Sequence, residues 1–377
     1  MQHSRSTVHV HRSAARQTPE QAGHEWAVND PQADEWRRYR PAERARLGRL
    51  PPTNRGPVNT RSTKRVLATL AAVAACLPLT ACSVDAAGQT VGGASTSAAS
   101  QSPAPSGTPP VRAIDEDVFR AAIAKLERRY GARVGIVALD TGDNRTLDYR
   151  PTERFGFAST AKVLAAAVML RDTNARQRNT IVHWSAADVA SAGYSPVTAG
   201  HVADGLTLDQ LAEAAVRQSD NTAMNLVLKH LGGPAGLTAS LRELGDSSTV
   251  IADYEPAINR ITAHTRANTS TPAAFSTLLS SIVAGKFLGS ADTQTLLQWM
   301  GGNATGDTLI RAGAPAGWTV ADKSGGAGAI RNDVAVVTPP GRAPIILTVF
   351  TTLTDTSADY VDSLVEKSAA AAFEALG

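Results

Sequence analysis

Ser159 and Lys162 are the first residues whose types and spacing could do chemistry. They stand in the segment Ser-Thr-Ala-Lys, directly before the uncharged run VLAAAVML, so the pattern predicts a helix that begins at the serine. Three residues apart on a helix, the two side chains share a face, where the amine could accept the proton of the hydroxyl. Taken alone, the pair is more typical of a serine that caps a helix and a solvated lysine.

Two further short motifs follow along the chain. Ser219-Asp-Asn221 precedes an apolar, helix-like segment, and Lys323-Ser-Gly325 follows a strand-like segment and continues into Gly326. Each motif by itself is typical of a helix cap or a glycine-rich turn at the end of a strand. The three together, in this order and on helix, loop and strand, predict the site of a serine nucleophile.

The elements that must position these motifs lie at both ends of residues 113–377. The middle of this region, 156–300, is mostly helical in pattern. Because strands from both ends must pair around it, we expect a mixed α/β fold, with a five-stranded antiparallel sheet flanked by helices and an all-helical lobe beside it. The predicted elements are a helix over Asp115–Tyr130, strands at 133–140, 146–149, 318–323, 333–337 and 345–350, and a closing helix over Ala358–Leu376.

An export signal precedes this region. Residues 66–81, VLATLAAVAACLPLTA, are uncharged and follow Arg61, Lys64 and Arg65, which is typical of a signal peptide whose apolar run is too short to span a membrane comfortably. The run ends in Leu-Thr-Ala-Cys82, which resembles a bacterial lipobox, so we expect a diacylglyceryl group on Cys82; the alternative is a single-span anchor that ends there. Both place the body outside. The lipidated form would be anchored to the outer face of the cytoplasmic membrane, and a cleaved form would be periplasmic or secreted.

The segments around this signal are predicted not to fold. Residues 1–65 form a basic leader without amphipathic period, and translation that starts near Val58 would remove residues 1–57 from the protein. Residues 82–112 are dominated by Ser, Ala, Gly, Thr and Pro, which bury too little apolar surface to offset chain entropy. We therefore expect a flexible, lipid-anchored linker ahead of one catalytic domain over 113–377.

Charge and composition exclude several classes of function. The 377 residues carry a net charge of +3, but residues 1–65 hold 13 Lys and Arg against 6 Asp and Glu, and the remainder holds 24 against 28. The folded region is therefore acidic and lacks the basic surface of a nucleic-acid-binding protein. Cys76 and Cys82 lie in or beside the signal, so neither a disulfide nor a cysteine zinc site is expected. We expect neither a metal nor a cofactor, since no phosphate-binding motif occurs and no metal spacing relates the histidines His183, His201, His230 and His264. We also expect the protein to be a monomer.

Residues 113–377 resemble the class A serine β-lactamases. Besides the three motifs, the resemblance is carried by RFGFASTAK, by YSPVTAGHVADGLTLDQLAEAAVRQSDNTAMNLVLKHLGGP, by Glu255-Pro-Ala-Ile-Asn259 and by WMGGNATGDTLIRAGAPAGWTVADKSG. It implies a hydrolase that opens the β-lactam ring of penicillins, and by extension of cephalosporins, through an acyl-enzyme, and so confers resistance. The ligand would be the antibiotic itself.

The resemblance also implies roles in the covalent steps. Ser159 would be the acylated nucleophile and Lys162 a proton acceptor in acylation, a step for which Glu255 is the rival base. Ser219 would pass a proton to the lactam nitrogen. Glu255 would activate the water that hydrolyses the acyl ester, and Asn259 would help to hold that water.

A second group of residues would bind the substrate. Backbone N–H groups of Ser159 and Gly326 would form the oxyanion hole, and a glycine suits the close approach. The side-chain amide of the substrate would meet Asn221, and its carboxylate would meet Lys323 and Ser324.

Two further residues have an open alternative. Tyr194 would line the mouth of the cleft, or else serve packing. Arg331 would add a second cation for the substrate carboxylate, or else form a surface salt bridge.

The sequence departs from the family in the loop of the glutamate. Relatives pin this loop by an arginine two residues before the glutamate and an aspartate thirteen after it, whereas this chain has Asp253 and Asn268 there. A carboxylate and an amide are complementary, so a hydrogen bond could replace the ion pair, although we expect it to be weaker and the loop more mobile. The turn after Lys323 is one residue shorter than in many relatives.

Two rival functions share most of these motifs. A D-Ala-D-Ala peptidase of the penicillin-binding type would lack the deacylating element, so Glu255 argues against it. A non-hydrolytic β-lactam-binding lipoprotein would keep its acyl adduct, and only the altered pair of Asp253 and Asn268 favours it.

Overall fold

The computed structural model describes residues 115–262 and 265–377. The predicted leader, signal segment, lipidated Cys82 and linker all lie outside the described residues, as do residues 113–114 and His264. Within the described ranges, no helix is both long and apolar enough to cross a membrane.

A five-stranded antiparallel sheet is built from the two ends of this region, as the sequence predicted. Its strands are β1 (Ala132–Asp140), β2 (Thr146–Tyr149), β7 (Thr319–Ala327), β8 (Ile330–Thr338) and β9 (Ile345–Leu353). In space they lie in the order β2-β1-β9-β8-β7. Short pairs complete the strands: β3 (Phe155–Gly156) with β6 (Thr269–Ser270), and β4 (Ile181–Val182) with β5 (Leu206–Thr207).

Helices cover both faces of the sheet and form a lobe beside it. Helix α1 begins after Asp115, whose carboxylate caps it by accepting the N–H of Val118 at 3.0 Å. The helices are α1 (Glu116–Tyr130), α2 (Ala161–Asp172), α3 (Ala175–Arg178), α4 (Ala186–Ala192), α5 (Leu208–Arg217), α6 (Asn221–His230), α7 (Gly233–Glu243), α8 (Pro272–Val283), α9 (Ser290–Gly301), α10 (Ile310–Gly313) and α11 (Asp362–Leu376).

The two faces of the sheet belong to two apolar cores. Along β9, Leu347 and Val349 pack with α1 and α11, whereas Ile346 and Phe350 face the helical lobe. This alternation follows from the two-residue period of a strand whose faces are both covered. Phe350 is fully buried, and its ring meets Phe275 of α8 edge to face with centroids 5.5 Å apart.

Helix α2 is the central helix of the lobe. Residues 161–170 are all buried, because the run is apolar around the whole helix. Lys162 lies in its first turn and is 1% exposed. A lysine in that position must find polar partners inside the protein.

Several predicted boundaries were wrong: β8 begins at Ile330 instead of 333, β9 extends to Leu353 instead of 350, and two further differences lie close to the site. Strand β7 does not end at the Lys323 motif but continues through the glycines to Ala327, because Gly325 and Gly326 pair with Asn332 and Arg331 of β8. The closing helix begins at Asp362 instead of Ala358, after a bend that returns the backbone N–H of Tyr360 to the carbonyl of Gly328 at 2.9 Å.

Candidate active site

Ser159 lies in a single 3₁₀ turn, Ala158–Thr160, which connects β3 to α2. Ala158 has a φ of +48°, a left-handed conformation that costs free energy for a residue with a side chain. A Cβ placed on Gly325 would lie 3.1 Å from the Ser159 nitrogen, so β7 runs directly alongside this turn. Ser159 itself is half-buried, which leaves its hydroxyl within reach of a ligand.

Lys162 connects the predicted motifs. Its Nζ lies 3.0 Å from Ser159 Oγ, 2.7 Å from the carbonyl oxygen of Ser219 and 2.6 Å from Asn221 Oδ1. It also lies 3.0 Å from Glu255 Oε1, and both side chains of this pair are almost fully buried. The amine therefore contacts the hydroxyl on one side and the carboxylate on the other.

Ser219 is presented by a strained loop before α6. Its φ is +55°, and its Oγ accepts from Lys323 Nζ at 3.2 Å and from Lys162 Nζ at 3.4 Å. The neighbouring Asp220 is fully buried and accepts the N–H groups of Val197 and Thr198, each at 2.9 Å. It also caps α6, a pattern visible in the sequence, but the sequence analysis assigned Asp220 no role.

Asn221 connects the site to the segment of Ala192 and Tyr194. Asn221 Nδ2 donates to the carbonyl of Ala192 at 2.9 Å, and the backbone N–H of Asn221 donates to the carbonyl of Tyr194 at 2.8 Å. Tyr194 is 41% exposed, so it lies at the protein surface, and its backbone contact places it beside Asn221.

Glu255 is held from both its backbone and its side chain. Asn225 of α6 accepts the backbone N–H of Glu255 at 2.8 Å and donates to its carbonyl at 3.0 Å. The peptide bond to Pro256 is cis. Asn259 Nδ2 donates to Glu255 Oε2 at 2.8 Å. Asn225 was missed by the sequence analysis, since nothing local marks an asparagine in the second turn of a helix.

The expected substitute for the family's ion pair is present. Asn268 Nδ2 donates to Asp253 Oδ2 at 2.7 Å, which confirms the predicted hydrogen bond. Asn268 Oδ1 also accepts the backbone N–H groups of Ala252 and Asp253 at 2.9 and 3.2 Å. The backbone carbonyl of Asn268 accepts the N–H of Phe157 at 3.4 Å, so one buried residue connects the glutamate loop to the turn before Ser159.

Lys323 and Ser324 are neighbours on β7, and Lys323 Nζ contacts both Ser219 Oγ and the backbone carbonyl of Ser324, at 3.2 and 2.8 Å. Both side chains are buried, and Ser324 Oγ lies 2.6 Å from Thr305 Oγ1. Burial, and after it the nearby Lys162 ammonium, lower the pKa of Lys323 to about 7 against the opposing effect of Asp322. Lys323 therefore changes its charge near neutral pH in the absence of ligand.

Two buried acids lie behind Lys323. Burial raises the pKa of Asp322, although an ion pair with Arg311 favours its charged form. Burial also raises the pKa of Asp333 well above its usual range, and the Asp322 carboxylate adds to that shift. Repulsion between the two acids therefore favours a neutral Asp333.

Arg331 and Gly326 form the outer edge of the site. Arg331 is 11% exposed and its Nε donates to Asp362 at 2.7 Å, so the salt bridge foreseen as the alternative exists. The same guanidinium also approaches the site, since a Cβ placed on Gly326 would lie 2.9 Å from Arg331 Nη1. The two readings of Arg331 are thus compatible.

The structure brings together eight predicted residues in one connected network: Ser159, Lys162, Ser219, Asn221, Glu255, Asn259, Lys323 and Ser324. Gly326, Arg331 and Tyr194 lie at its rim, and Cys82 lies outside the described residues. Across residues 115–262 and 265–377, no group of three or more His, Cys, Asp or Glu side chains is placed to hold a metal ion.

A hydroxyl in contact with a buried amine, itself paired with a carboxylate, is the arrangement of a serine hydrolase. The known relatives of the chain are of this class. The profile of the Beta-lactamase enzyme family matches residues 118–376, and the chain belongs to that family.

Sequence relatives agree with this assignment. The chain is 44% identical over 253 residues to a β-lactamase of Bacillus amyloliquefaciens, which covers 67% of this chain and 82% of that protein. It is 44% identical over 276 residues to a β-lactamase of Amycolatopsis lactamdurans, which covers 73% and 89%.

Solved structures identify the class. The class A β-lactamase of Clostridium kluyveri superposes with a TM-score of 0.66 at 40% identity, over 68% of this chain and 97% of that one. The β-lactamase of Streptomyces albus G gives a TM-score of 0.67 at 38% identity, over 69% and 99%. The expectation of a class A serine β-lactamase fold and of a β-lactamase hydrolase is confirmed.

Proposed function

We propose that Ser159 is the nucleophile that opens the β-lactam ring and that Glu255 drives hydrolysis of the resulting ester. The observation that carries this proposal is the position of Lys162 Nζ, 3.0 Å from Ser159 Oγ and 3.0 Å from Glu255 Oε1. Both steps can then draw on one buried set of proton donors and acceptors.

Acylation begins with proton transfer inside this cluster. In the ion-paired state Lys162 carries a proton and cannot take another. Transfer of that proton to Glu255 leaves a neutral amine and a neutral acid. The amine then accepts the proton of Ser159 while Oγ attacks the lactam carbonyl. Direct contact makes Lys162 the first acceptor, whereas Glu255 would need an intervening water to reach Ser159.

The opening of the ring requires a proton for the departing nitrogen. Ser219 Oγ contacts both Lys162 and Lys323, so it can donate its own proton to the nitrogen and be reprotonated by an amine. The C–N bond breaks, and the acyl group remains as an ester on Ser159. Charge that develops on the carbonyl oxygen would be stabilised by the N–H groups of Ser159 and Gly326, which lie on adjacent stretches of backbone.

Deacylation depends on a water between Glu255 and Asn259. Asn259 Oδ1 is buried and has no hydrogen-bond partner within the described part of the chain, while its amide nitrogen is fixed by Glu255. A water there would satisfy this oxygen and lie next to the carboxylate. Before this step Glu255 returns the proton it took in acylation to Lys162, 3.0 Å away, which regenerates its carboxylate. Glu255 then takes one proton as the water attacks the ester carbonyl, the bond to Oγ breaks, and that proton passes to Ser159 Oγ.

Substrate recognition follows from polar and cationic side chains on β7 and β8. Lys323, Ser324 and Arg331 would bind the carboxylate of penicillins and, as a second class, of cephalosporins. Asn221 would bind the amide of the acyl side chain of the substrate, and Tyr194 would line the mouth of the cleft beside that side chain. Cleavage of these antibiotics would confer resistance on the cell.

The test is turnover of nitrocefin and benzylpenicillin by the purified protein and its Ser159→Ala and Glu255→Ala variants. We expect Ser159→Ala to abolish both the covalent adduct and turnover. Glu255→Ala should release about one equivalent of product and then stall, with the acyl adduct visible by mass spectrometry. Glu116→Ala, an exposed glutamate on α1, is the matched control and should turn over normally.

The other outcomes are equally distinct. A lasting adduct on the unaltered protein would mean that Glu255 does not drive deacylation. Cleavage of an acyl-D-Ala-D-Ala peptide in place of the lactams would overturn the assigned substrate. Full turnover by Glu255→Ala would remove Glu255 from the mechanism.

We also propose that the mature protein is an exported monomer, lipid-anchored through Cys82 to the outer face of the cytoplasmic membrane. The support is the basic segment, apolar run and Leu-Thr-Ala-Cys sequence, which form an export signal and lipidation site. Mass spectrometry of membrane-extracted protein should show a diacylglyceryl group on Cys82, and Cys82→Ser should lose it. Light scattering of the detergent-free body should give the mass of one chain.

A further inference from the structure

Tyr360 lies beside the outer edge of the site, in the segment between β9 and α11. A Cβ placed on Gly326 would come within 3.0 Å of Tyr360 Cε1, so the ring is in van der Waals contact with this glycine. The guanidinium carbon of Arg331 lies 4.6 Å from the centroid of the same ring. Tyr360 thus contacts both Gly326 and Arg331, although neither the motifs nor the proposed mechanism uses it.

Three contacts fix the guanidinium of Arg331. Its Nε is taken by Asp362, one face is covered by the ring of Tyr360, and Nη1 lies beside Gly326. Asp362 alone would leave the guanidinium free to rotate about that hydrogen bond. The aromatic face removes this freedom, because a cation–π contact requires the cation to stay over the ring.

Tyr360 is itself fixed to the strands that form the site. Its backbone N–H donates to the carbonyl of Gly328, in the turn between β7 and β8, at 2.9 Å. The ring therefore keeps its place relative to Gly326 and Arg331, which lie on opposite sides of this turn and pair with each other in the sheet.

We propose that Tyr360 is a positioning residue that determines specificity, because its ring directs the Arg331 guanidinium toward the carboxylate of the substrate. The proposal rests on the proposed function, in which this edge of β7 binds the carboxylate. A guanidinium is useful there only in a fixed orientation, since two parallel hydrogen bonds to a carboxylate need a defined plane. Without the ring, the enzyme should keep its chemistry and lose part of its preference for anionic lactams.

The experiment compares benzylpenicillin with its methyl ester, which lacks the anionic charge, in the wild-type protein and in variants of Tyr360. Tyr360→Ala should raise KM for the acid about fivefold, the contribution of one cation–π contact, with kcat little changed. KM for the ester should stay constant. Tyr360→Phe should restore the wild-type KM for the acid to within about twofold, because the phenylalanine ring still offers its face to Arg331.

A double-mutant cycle tests whether the effect passes through Arg331. Arg331→Ala should reduce the preference for the acid over the ester, and adding Tyr360→Ala should change it no further. Tyr149→Ala is the matched control, because it removes an aromatic ring lying 5.2 Å from the Arg150 guanidinium on the opposite edge strand of the sheet. It should leave the KM of both substrates unchanged.

The contrary results are separable. Equal loss with acid and ester in Tyr360→Ala, or failure of Tyr360→Phe to rescue, would show that the ring only supports the fold and would overturn the proposal. Additive losses in the double variant would show that Tyr360 acts independently of Arg331. If the wild-type protein forms no adduct with benzylpenicillin, the proposed function fails first and this inference fails with it.

Discussion

Replacement of Asn268 should separate deacylation from acylation. This residue is fully buried, adopts a φ of +54°, and makes three hydrogen bonds to the glutamate loop through its side chain. Asn268→Ala removes all three and places an alanine in a left-handed conformation. The loop N–H groups and the Asp253 carboxylate can partly rehydrate, so we estimate a cost of about 3 kcal/mol to the closed loop.

The cost falls on the position of Glu255, because the pinned segment ends two residues before it. A displacement of about 1 Å can slow a reaction about a hundredfold, so deacylation should fall between tenfold and a hundredfold. Ser159 lies in the turn before α2 and Lys162 lies in α2 itself, so acylation of Ser159 should continue. Stopped-flow assays with nitrocefin should therefore show a burst of about one equivalent followed by slow turnover, with trapped acyl-enzyme in the mass spectrum.

A charge swap provides the control. Asn268→Asp alone places a second carboxylate beside that of Asp253, so its deacylation should be as slow as that of Asn268→Ala. The double variant Asp253→Asn with Asn268→Asp restores a complementary amide and carboxylate, and the new carboxylate can accept the same backbone N–H groups, so most of the deacylation rate should return.

Two results would refute this reasoning. If acylation and deacylation fell together, Asn268 would act through its carbonyl contact with Phe157 on the nucleophile turn. If the swapped pair were no better than the single Asn268→Asp variant, complementarity at this position would not be what pins the loop.

Four further predictions concern other contacts. KM for benzylpenicillin should rise up to tenfold per unit as pH exceeds about 7, the pKa of Lys323, because only the protonated amine attracts the carboxylate; a pH profile with the methyl ester should stay flat. Asn225→Ala should slow deacylation and lower the free energy of unfolding by ~2 kcal/mol through loss of two hydrogen bonds; an unchanged urea midpoint would contradict this. Gly325→Ala should impair acylation in stopped-flow assays, since its Cβ would lie 3.1 Å from the backbone nitrogen of Ser159; normal acylation would show that the turn can yield. Phe350→Ala should cost about 3–5 kcal/mol in urea unfolding, and a loss below about 1 kcal/mol would mean that the core collapses around it.

Local patterns determined most of the elements. Runs of apolar and β-branched residues in 133–140 and 345–350 specified strands, and the uniformly apolar run after Lys162 specified a helix. These predictions succeeded because hydrophobic periodicity depends on near neighbours in the chain. The boundary errors have the same origin. Strand β7 passes through Gly325 and Gly326 because β8 pairs with them, and no local signal reports a pairing partner.

The same division applies to the site. The types of Ser159, Glu255 and Lys323 define what reactions they could support, and the complementarity of Asp253 and Asn268 could be foreseen from their functional groups alone. That Ser219 and Lys323, 104 residues apart, come within 3.2 Å of each other is a property of the tertiary structure.

Burial and contact decided the rest. The sequence gives no sign that the pKa of Lys323 falls to about 7, since that shift comes mainly from the burial of this β7 residue in the folded protein. Nor does it mark Asn225 or Tyr360, which act through residues distant in the chain. The type of a side chain and its close neighbours in the chain set which reactions it can support. Proximity to distant residues, dehydration and orientation arise only when the sheet and the helical lobe pack together.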